Sequence, residues 1–293
     1  MTIEYLVLSG GGGAGYLIYG ALKYLYLNNY WDINNIKNIF CVSIGSLISV
    51  FISLKLEWDV LDDYLIKRPW EKVINIKPNH LLNLWSQKGI FNSDIIKEII
   101  NPLLTVKGLS ESVTLKEFYE FNKIEIHMYT TNINEGIPNK VELSYKTHPD
   151  LELYKAISMS SAFPILLAPI CHDNYCFIDG GLLNNFPLND CIETLDAIET
   201  NNLDKILAFK ISSLKTPITI EEDSTLLNYL YAIIDSIRKL VSTENQQIKI
   251  SNIVYCNIEK NDLNIWKDAL LYENTRKNMI ELGVKCGEKY LNV

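Results

Sequence analysis

The sequence predicts an α/β fold of three layers (α/β/α), in which helices cover both faces of a mostly parallel central sheet. The 293-residue chain is 48% hydrophobic, which is enough for a large core. Short apolar segments alternate with longer ones near the N-terminus, and uninterrupted apolar strands are typical of parallel sheets buried on both faces. Because no linker composition interrupts the chain, we expect residues 1–293 to form a single domain.

The opening of the chain is predicted to read strand, glycine loop, helix, strand, tight turn, helix. The apolar run 5–8 suits a buried strand, whereas 16–27 carries apolar residues at helical spacing. The run 36–42 predicts a second strand. Residues 46–56 are uniformly apolar but too many for a typical strand, so they predict a buried helix.

Residues 57–90 depart from this alternation. Trp58, Trp70 and Trp85 fall here among charged residues and prolines. We interpret the segment as a helical excursion or cap. Its tryptophans suit a lipid-facing surface, where one end of the ring is wet, and they suit the core equally well.

Turn, cap and proline signals predict the remaining elements. A helix should begin at residues 92–94 and stop near Pro102, since proline has no N–H to donate, and Thr114 should cap the helix that follows. Further strands are predicted at 124–131, 140–145, 175–178, 205–211 and 252–258, and further helices at 151–159, 223–245 and 273–291.

The composition excludes several classes of function. The formal net charge is −8, so the chain lacks the basic surface that nucleic acid binding requires. Its cysteines and histidines show no metal-ligand spacing, and we expect free buried thiols and neither metal nor cofactor. No signal peptide is apparent, and no apolar run approaches the roughly 20 residues of a membrane span. We therefore expect a soluble cytoplasmic protein whose membrane contact, if any, is peripheral.

A glycine-rich loop, Gly10–Gly15, joins the first strand to the first helix. Its backbone N–H groups and those of the helix start could hold an anion, so a phosphate site, an oxyanion hole and a structural turn all fit. Gly10, Gly12 and Gly15 also match GxGxxG, the dinucleotide fingerprint. That interpretation needs an acidic residue at the end of the second strand, which ends at Ser43 instead.

Ser43 lies between the second strand and the second helix, which is the setting of a nucleophile elbow. In such an elbow a sharp turn lifts a serine hydroxyl to a helix N-terminus, and Gly45 supplies the small residue that the turn needs. The usual pattern GxSxG is matched in part, because Cys41 stands at the first glycine. A serine before a helix is also a common N-cap.

Asp179 ends a late predicted strand and is followed by Gly180 and Gly181. If its loop and that of Ser43 both lie at the carboxyl ends of neighbouring strands, the two side chains face the same crevice. The structural alternative is an Asx-turn or a helix cap.

Together these motifs resemble the patatin-like phospholipase family, whose members combine a glycine-rich loop, a serine elbow and a late Asp-Gly-Gly or Asp-Gly-Ala. The likeness covers residues 5–190, and 191–293 would complete a patatin-like fold. Two departures stand out. Cys41 occupies a position where the family usually has glycine, and Ala14 one where it often has arginine or lysine.

The resemblance implies a lipid acyl hydrolase of the phospholipase A or lysophospholipase kind that uses a Ser–Asp dyad. Ser43 would be the nucleophile and Asp179 its base, and N–H groups of Gly11, Gly12 and Gly13 would hold the oxyanion. The partner would be a phospholipid or another lipid ester. An ordinary aspartate, with a pKa of about 3.9, is a weak base for serine, so the site must raise that pKa or strengthen the hydrogen bond.

Two alternatives stay open at this point. A nucleotide-binding enzyme would need an acidic ribose ligand or a P-loop lysine, and neither is found at the expected position. A catalytically weakened patatin-fold binding protein is favoured by Cys41 and Ala14, whereas the presence of both Ser43 and Asp179 argues against it.

Overall fold

The computed structural model contains, within its described residues, a main sheet of eight strands and a separate two-stranded sheet. It describes residues 2–74, 84–172, 174–196, 203–213, 220–244, 250–259 and 262–292, without the side chains of 196, 227 and 242–244. The middle of the predicted cap, residues 75–83, lies outside these ranges. The strands are β1 Tyr5–Leu8, β2 Asn38–Val42, β3 Gly89–Phe91, β4 Glu125–Asn132, β5 Asn139–Leu143, β6 Ile165–Leu167, β7 Ile170–His172, β8 Tyr175–Asp179, β9 Ile206–Ser213 and β10 Ile253–Ile258.

The main sheet has the order β10-β9-β1-β2-β4-β8-β7, with β5 also paired to β4. The five strands from β10 to β4 are mutually parallel, whereas β5 and β8 run antiparallel to β4. The predicted mostly parallel sheet is therefore confirmed.

Helices cover both faces of this sheet, as predicted. Alternate residues of β1 point to opposite faces: Tyr5 and Val7 pack with Leu188 and Ile192 of one helix, and Leu6 and Leu8 belong to the larger core on the other side. No helix in the described ranges is long and apolar enough to span a bilayer. The helices are α1 Gly15–Leu27, α2 Ile44–Ser53, α3 Trp58–Lys67, α4 Trp70–Val73, α5 Asp94–Val106, α6 Leu115–Asn122, α7 Leu153–Ser161, α8 Leu188–Asp196, α9 Leu226–Glu244, α10 Leu263–Leu271 and α11 Glu273–Leu291.

One strand, β4, has a different partner along each half of one edge. Met128 and Tyr129 pair with both β2 and β5, and Thr130 to Asn132 pair with both β8 and β5. Since β5 occupies one edge throughout, β2 and β8 must share the other. They lie end to end with their carboxyl ends facing each other, Val42 opposite Tyr129 and Asp179 opposite Thr130.

The prediction that a helix stops near Pro102 is wrong, because α5 continues through Pro102 to Val106. Proline cannot donate to the carbonyl of Glu98, and Arg68 Nη2 donates to that oxygen instead at 3.1 Å. The residues after the proline include buried Leu103 and Leu104. Burial of these side chains favours continuation of the helix.

The expectation that all cysteines are free thiols is also wrong. Cys171 and Cys176 face each other across the β7–β8 hairpin and form a disulfide. Cys41, Cys191 and Cys256 are buried free thiols, as expected. The pairing depends on the hairpin register, which no cysteine spacing motif encodes.

Candidate functional site

Ser43 occupies the strained turn between β2 and α2. Its backbone has φ 54° and ψ −125°, and its side chain makes no capping hydrogen bond. A helix N-cap normally has an extended backbone and accepts a hydrogen bond from the first turn. Ser43 does neither, so the N-cap interpretation fails and the backbone is that of an elbow.

The neighbours of Ser43 permit this turn. A Cβ atom on Gly45 would lie 2.6 Å from the carbonyl oxygen of Leu8, so this position of the motif requires glycine. Cys41 is fully buried, and its Sγ lies 3.5 Å from both Ser49 Oγ and the carbonyl oxygen of His127. The departure from GxSxG therefore fits the elbow without displacing it.

Ser160, on α7, braces the elbow. Its Oγ accepts a hydrogen bond from the backbone N–H of Ser43 at 2.9 Å and donates one to the carbonyl oxygen of Tyr129 at 2.7 Å. Ser46 Oγ also lies 2.9 Å from Ser160 Oγ. These contacts tie the turn to α7 and β4, and they direct the Ser43 N–H away from the cavity side.

Asp179 contacts Ser43 directly. Ser43 Oγ donates to Asp179 Oδ2 at 2.6 Å, and the N–H of Gly181 donates to Oδ1 at 2.7 Å. The expected Asx-turn and the expected partnership with Ser43 are thus both present, one on each carboxylate oxygen. The sequence suggested that the two residues follow strands that lie side by side, but they do not. They meet because β2 and β8 point at each other along β4.

Burial raises the pKa of the Asp179 carboxyl to about 6, although hydrogen bonds from Ser43 and Gly181 and the charge of Arg238 oppose the rise. The side chain is 5% exposed. An aspartate with this pKa is largely ionised at neutral pH and is a stronger base than an ordinary aspartate.

The glycine-rich loop is held against the Asp179 turn by Asn185. The N–H of Gly10 donates to the carbonyl oxygen of Asn185 at 3.0 Å, and Asn185 Nδ2 donates to the carbonyl oxygen of Gly10 at 3.4 Å. At the other end of the loop, the N–H of Ala14 donates to Gly11 O at 3.1 Å. Between these two bonds along the chain lie the N–H groups of Gly11, Gly12 and Gly13, to which the family resemblance assigns the oxyanion.

The remaining predicted glycines have distinct positions. Gly12 has φ +54°, and an added Cβ would lie 2.0 Å from the indole ring of Trp266. Gly13 packs on the Trp266 backbone, Gly15 begins α1 against Ile44, and Gly180 packs on the Tyr129 carbonyl. Gly11, Gly12 and Gly181 line the same cavity as Ser43 and Asp179, whereas Gly13 does not line it.

This cavity has a volume of about 30 Å³, room for about one or two water molecules. Helices α9 and α10 cover it, and no residue from the described parts of 57–90 contributes to it. The interpretation of 57–90 as a helical excursion or cap stays a prediction. The lining residues are Gly11, Gly12, Ser43, Phe163, Pro164, Asp179, Gly181, Leu182, Asn185, Tyr231, Ile234, Asp235, Arg238 and Trp266.

Sequence reasoning missed the residues that cover the site. The rings of Phe163, Tyr231 and Trp266 lie 5.5 to 5.9 Å apart, centroid to centroid, and close the cavity. Arg238 brings a charge to it. Tyr231, Arg238 and Trp266 lie beyond the motif region, and no local pattern marks them.

Among the described residues, neither a histidine nor a metal-binding group accompanies Ser43 and Asp179. No histidine lines the cavity, and His127 Nδ1 lies 2.8 Å from Glu142 Oε1 at another part of β4. His80 lies outside the described residues. Among the described side chains, no group of three His, Cys, Asp or Glu could hold a metal ion.

The fold and site define an α/β protein of the serine-elbow type, with a buried aspartate bonded to the serine. The chain belongs to the patatin-like phospholipase family, whose profile matches residues 6–192. The resemblance seen in the sequence is thereby confirmed.

Two viral proteins are similar to this chain. The chain is 31% identical over 206 residues to the probable lipid hydrolase 463L of Invertebrate iridescent virus 6, covering 69% of this chain and 68% of that protein. It is 30% identical over 197 residues to the uncharacterized protein R571 of Acanthamoeba polyphaga mimivirus, covering 66% of this chain. That match spans 63% of the mimivirus protein, less than two thirds of its length.

A solved structure shares the fold. VipD from Legionella pneumophila superposes with a TM-score of 0.55 at 16% identity, covering 100% of this chain and 67% of VipD. At this identity the likeness concerns the fold alone.

Proposed function

We propose that the protein is a lipid acyl hydrolase that cleaves carboxylic esters through an acyl-enzyme on Ser43. The observation that carries the proposal is the 2.6 Å hydrogen bond from Ser43 Oγ to the buried Asp179 carboxylate, formed at a serine with φ 54°. Neither feature is needed for a helix cap, and together they fit an activated nucleophile. Family membership supports lipid esters as the substrate class.

In the first step Asp179 Oδ2 accepts the hydroxyl proton while Ser43 Oγ attacks the ester carbonyl carbon. Of the predicted oxyanion residues Gly11, Gly12 and Gly13, the first two line the cavity, and their N–H groups would hold the resulting oxyanion. Removal of one such donor typically costs about 3–4 kcal/mol. Collapse of the tetrahedral intermediate expels the alcohol, which takes the proton from Asp179. A water molecule then attacks the acyl-enzyme while Asp179 accepts its proton, and collapse of the second tetrahedral intermediate releases the fatty acid as Asp179 returns that proton to Ser43 Oγ.

The direct test compares wild type with Ser43→Ala and Asp179→Asn on a p-nitrophenyl ester and on phosphatidylcholine. Both variants should lose at least about a thousandfold in kcat while remaining folded. Ser53→Ala is the matched control, since Ser53 is another buried serine of α2 and its hydroxyl has no hydrogen-bond partner in the described residues. This control should keep the activity.

Full activity of Ser43→Ala would refute the assignment. A wild type that is inert on all esters and does not react with a fluorophosphonate probe would favour the binding-protein alternative, because that probe requires an activated serine.

Peripheral contact with a lipid surface belongs to this proposal, through α9. Five apolar side chains recur at helical spacing on its outer face: Leu226 is 71% exposed, Tyr229 48%, Ile233 38%, Ile237 46% and Leu240 66%. The inner face of the same helix covers the cavity above Ser43. A helix that presents apolar residues beside a lipid ester site suits a lipid–water interface.

Flotation with phosphatidylcholine vesicles tests this contact. Ile237→Glu should reduce the bound fraction roughly tenfold, since it replaces apolar area that enters the interface by a charge. Ile137→Glu provides the same substitution at another exposed isoleucine, on the β4–β5 connection, and should bind as wild type does. Equal binding of all three proteins would exclude α9 as the contact.

A further inference from the structure

A single cationic side chain, that of Arg238, lines the described cavity above Ser43. It comes from the inner face of α9, and its charge acts on Asp179. The other charged lining residues are the carboxylates Asp179 and Asp235, and the glycine-loop residues that line the cavity have no side chains. Recognition of an anionic group beside Ser43 therefore depends on Arg238.

Arg238 is one of two cations that share a carboxylate. Its Nη2 lies 2.6 Å from Asp235 Oδ1, and Lys239 Nζ lies 2.6 Å from Asp235 Oδ2. Two positive charges therefore meet one negative charge within this three-residue group, while Asp179 adds a second carboxylate to the cavity lining. Lys239 is not among the cavity-lining residues, so Arg238 is the member of the group that brings a positive charge to the site.

The chemistry of the guanidinium suits a phosphate. Its planar array of N–H donors matches two phosphate oxygens, and charge-assisted bonds of this kind are about twice as strong as neutral ones. Arg238 uses one edge on Asp235, and its side chain is 29% exposed, so it is neither fully enclosed nor fully hydrated. A phosphodiester close to a scissile ester would lie between the Arg238 guanidinium and the glycine-rich loop.

We propose that Arg238 binds the phosphate of a glycerophospholipid substrate, so that the protein prefers phosphate-bearing acyl esters to neutral acylglycerols. The inference rests on the proposed acyl hydrolase function and narrows its substrate class. Ser43 and Asp179 carry the bond cleavage, and Arg238 acts as a specificity-determining residue. Without it, the phosphate would face the Asp179 carboxylate with no compensating charge.

The test measures kcat/KM on two substrates with the same acyl chain, palmitoyl lysophosphatidylcholine and 1-palmitoylglycerol, in the same neutral detergent micelles. The ratio of the two values isolates the effect of the phosphocholine headgroup, which carries the phosphate, because any effect on the dyad or on folding changes both values alike. Arg238→Gln should lower the ratio roughly ten- to a hundredfold, as expected for the loss of a charge-assisted bond. Arg238→Lys should restore part of it.

Lys239→Gln is the matched control. It removes the same charge from the same helix and the same carboxylate, but from a side chain outside the cavity lining. We expect it to keep the wild-type ratio within about twofold.

Equal losses on both substrates in Arg238→Gln would overturn the inference and leave Arg238 a structural role. So would a wild type that hydrolyses the acylglycerol as well as the lysophospholipid, although the proposed hydrolase function would then stand. A wild type that hydrolyses neither substrate and is not labelled by fluorophosphonate would refute the hydrolase function, and the inference with it.

Discussion

Ser43 and Asp179 are held in positions that each cost free energy. A backbone such as that of Ser43 typically costs about 1–3 kcal/mol, and Asp179 is 5% exposed. Ser160 secures the first residue through the Ser43 N–H, and Gly181 orients the second through Oδ1. Because Ser160 and Gly181 hold the two residues in place before any substrate binds, the second carboxylate oxygen of Asp179, Oδ2, is directed at Ser43 Oγ.

The pH dependence of activity should report the raised pKa of Asp179. Only the ionised carboxylate can accept the Ser43 proton, so kcat/KM should be low under acid conditions and rise with a midpoint near the pKa of about 6. An ordinary aspartate would place the midpoint about two units lower. The measurement is a pH profile on a p-nitrophenyl ester, with circular dichroism at each pH to verify the fold. A flat profile between pH 5 and 7 would contradict the assigned base.

The two helices α9 and α10 cover the Ser43–Asp179 pair. The cavity of about 30 Å³ is far smaller than a pocket for a lipid chain, since ligand sites usually measure about 300–1,000 Å³. Trp266 of α10 lies on Gly12, and Tyr231 of α9 lies on Trp266. Binding of an acyl ester at the proposed site would therefore require these side chains or their helices to move.

Trp266→Ala should open the site to small substrates. We expect kcat/KM for a short soluble ester to rise roughly three- to tenfold, because removal of the ring reduces the conformational change needed for entry. Trp85→Ala is the control, as Trp85 is 95% exposed and does not line the cavity. Unchanged or lower activity in Trp266→Ala would mean that the indole does not restrict entry.

At the scale of the whole molecule, the net charge of −8 opposes the local charge at Arg238. A protein with this charge gains no general attraction to an anionic lipid surface, so the proposed membrane contact would depend on apolar side chains such as those of α9. The proposed recognition of a phosphate would depend on one site, and the net charge of the protein does not favour it.

Binding to anionic vesicles should accordingly be weaker than binding to neutral ones. At low salt, vesicles with added phosphatidylglycerol should bind roughly two- to tenfold less protein than phosphatidylcholine vesicles. The difference should shrink as the Debye length falls from about 30 Å at 0.01 M salt to about 3 Å at 1 M. Cosedimentation at several salt concentrations measures this. Stronger binding to the anionic vesicles would show that a local basic patch outweighs the net charge.

Much of the site was predictable because it depends on neighbours in the sequence. The turn at Ser43 requires a small residue at Gly45 and a helix after a strand, and the glycine-rich loop requires backbone freedom between β1 and α1. Such features follow from local dihedral angles and hydrogen bonds, so the residue pattern carries them. The strands β1 and β2 and the capping box at Thr114 were predictable for the same reason.

The tertiary structure decided how distant segments meet. The antiparallel pairing of β8 with β4 brings Asp179 to Ser43. Helices α9 and α10 bring Arg238 and Trp266 to the cavity, although both residues lie far from Ser43 along the chain. Such contacts depend on which apolar faces bury each other, and no pattern within one segment encodes that choice. The sequence by itself therefore determined the elbow, the glycine loop and the family, whereas packing decided the raised pKa of Asp179, the cover of the site and the presence of a cationic side chain in its lining.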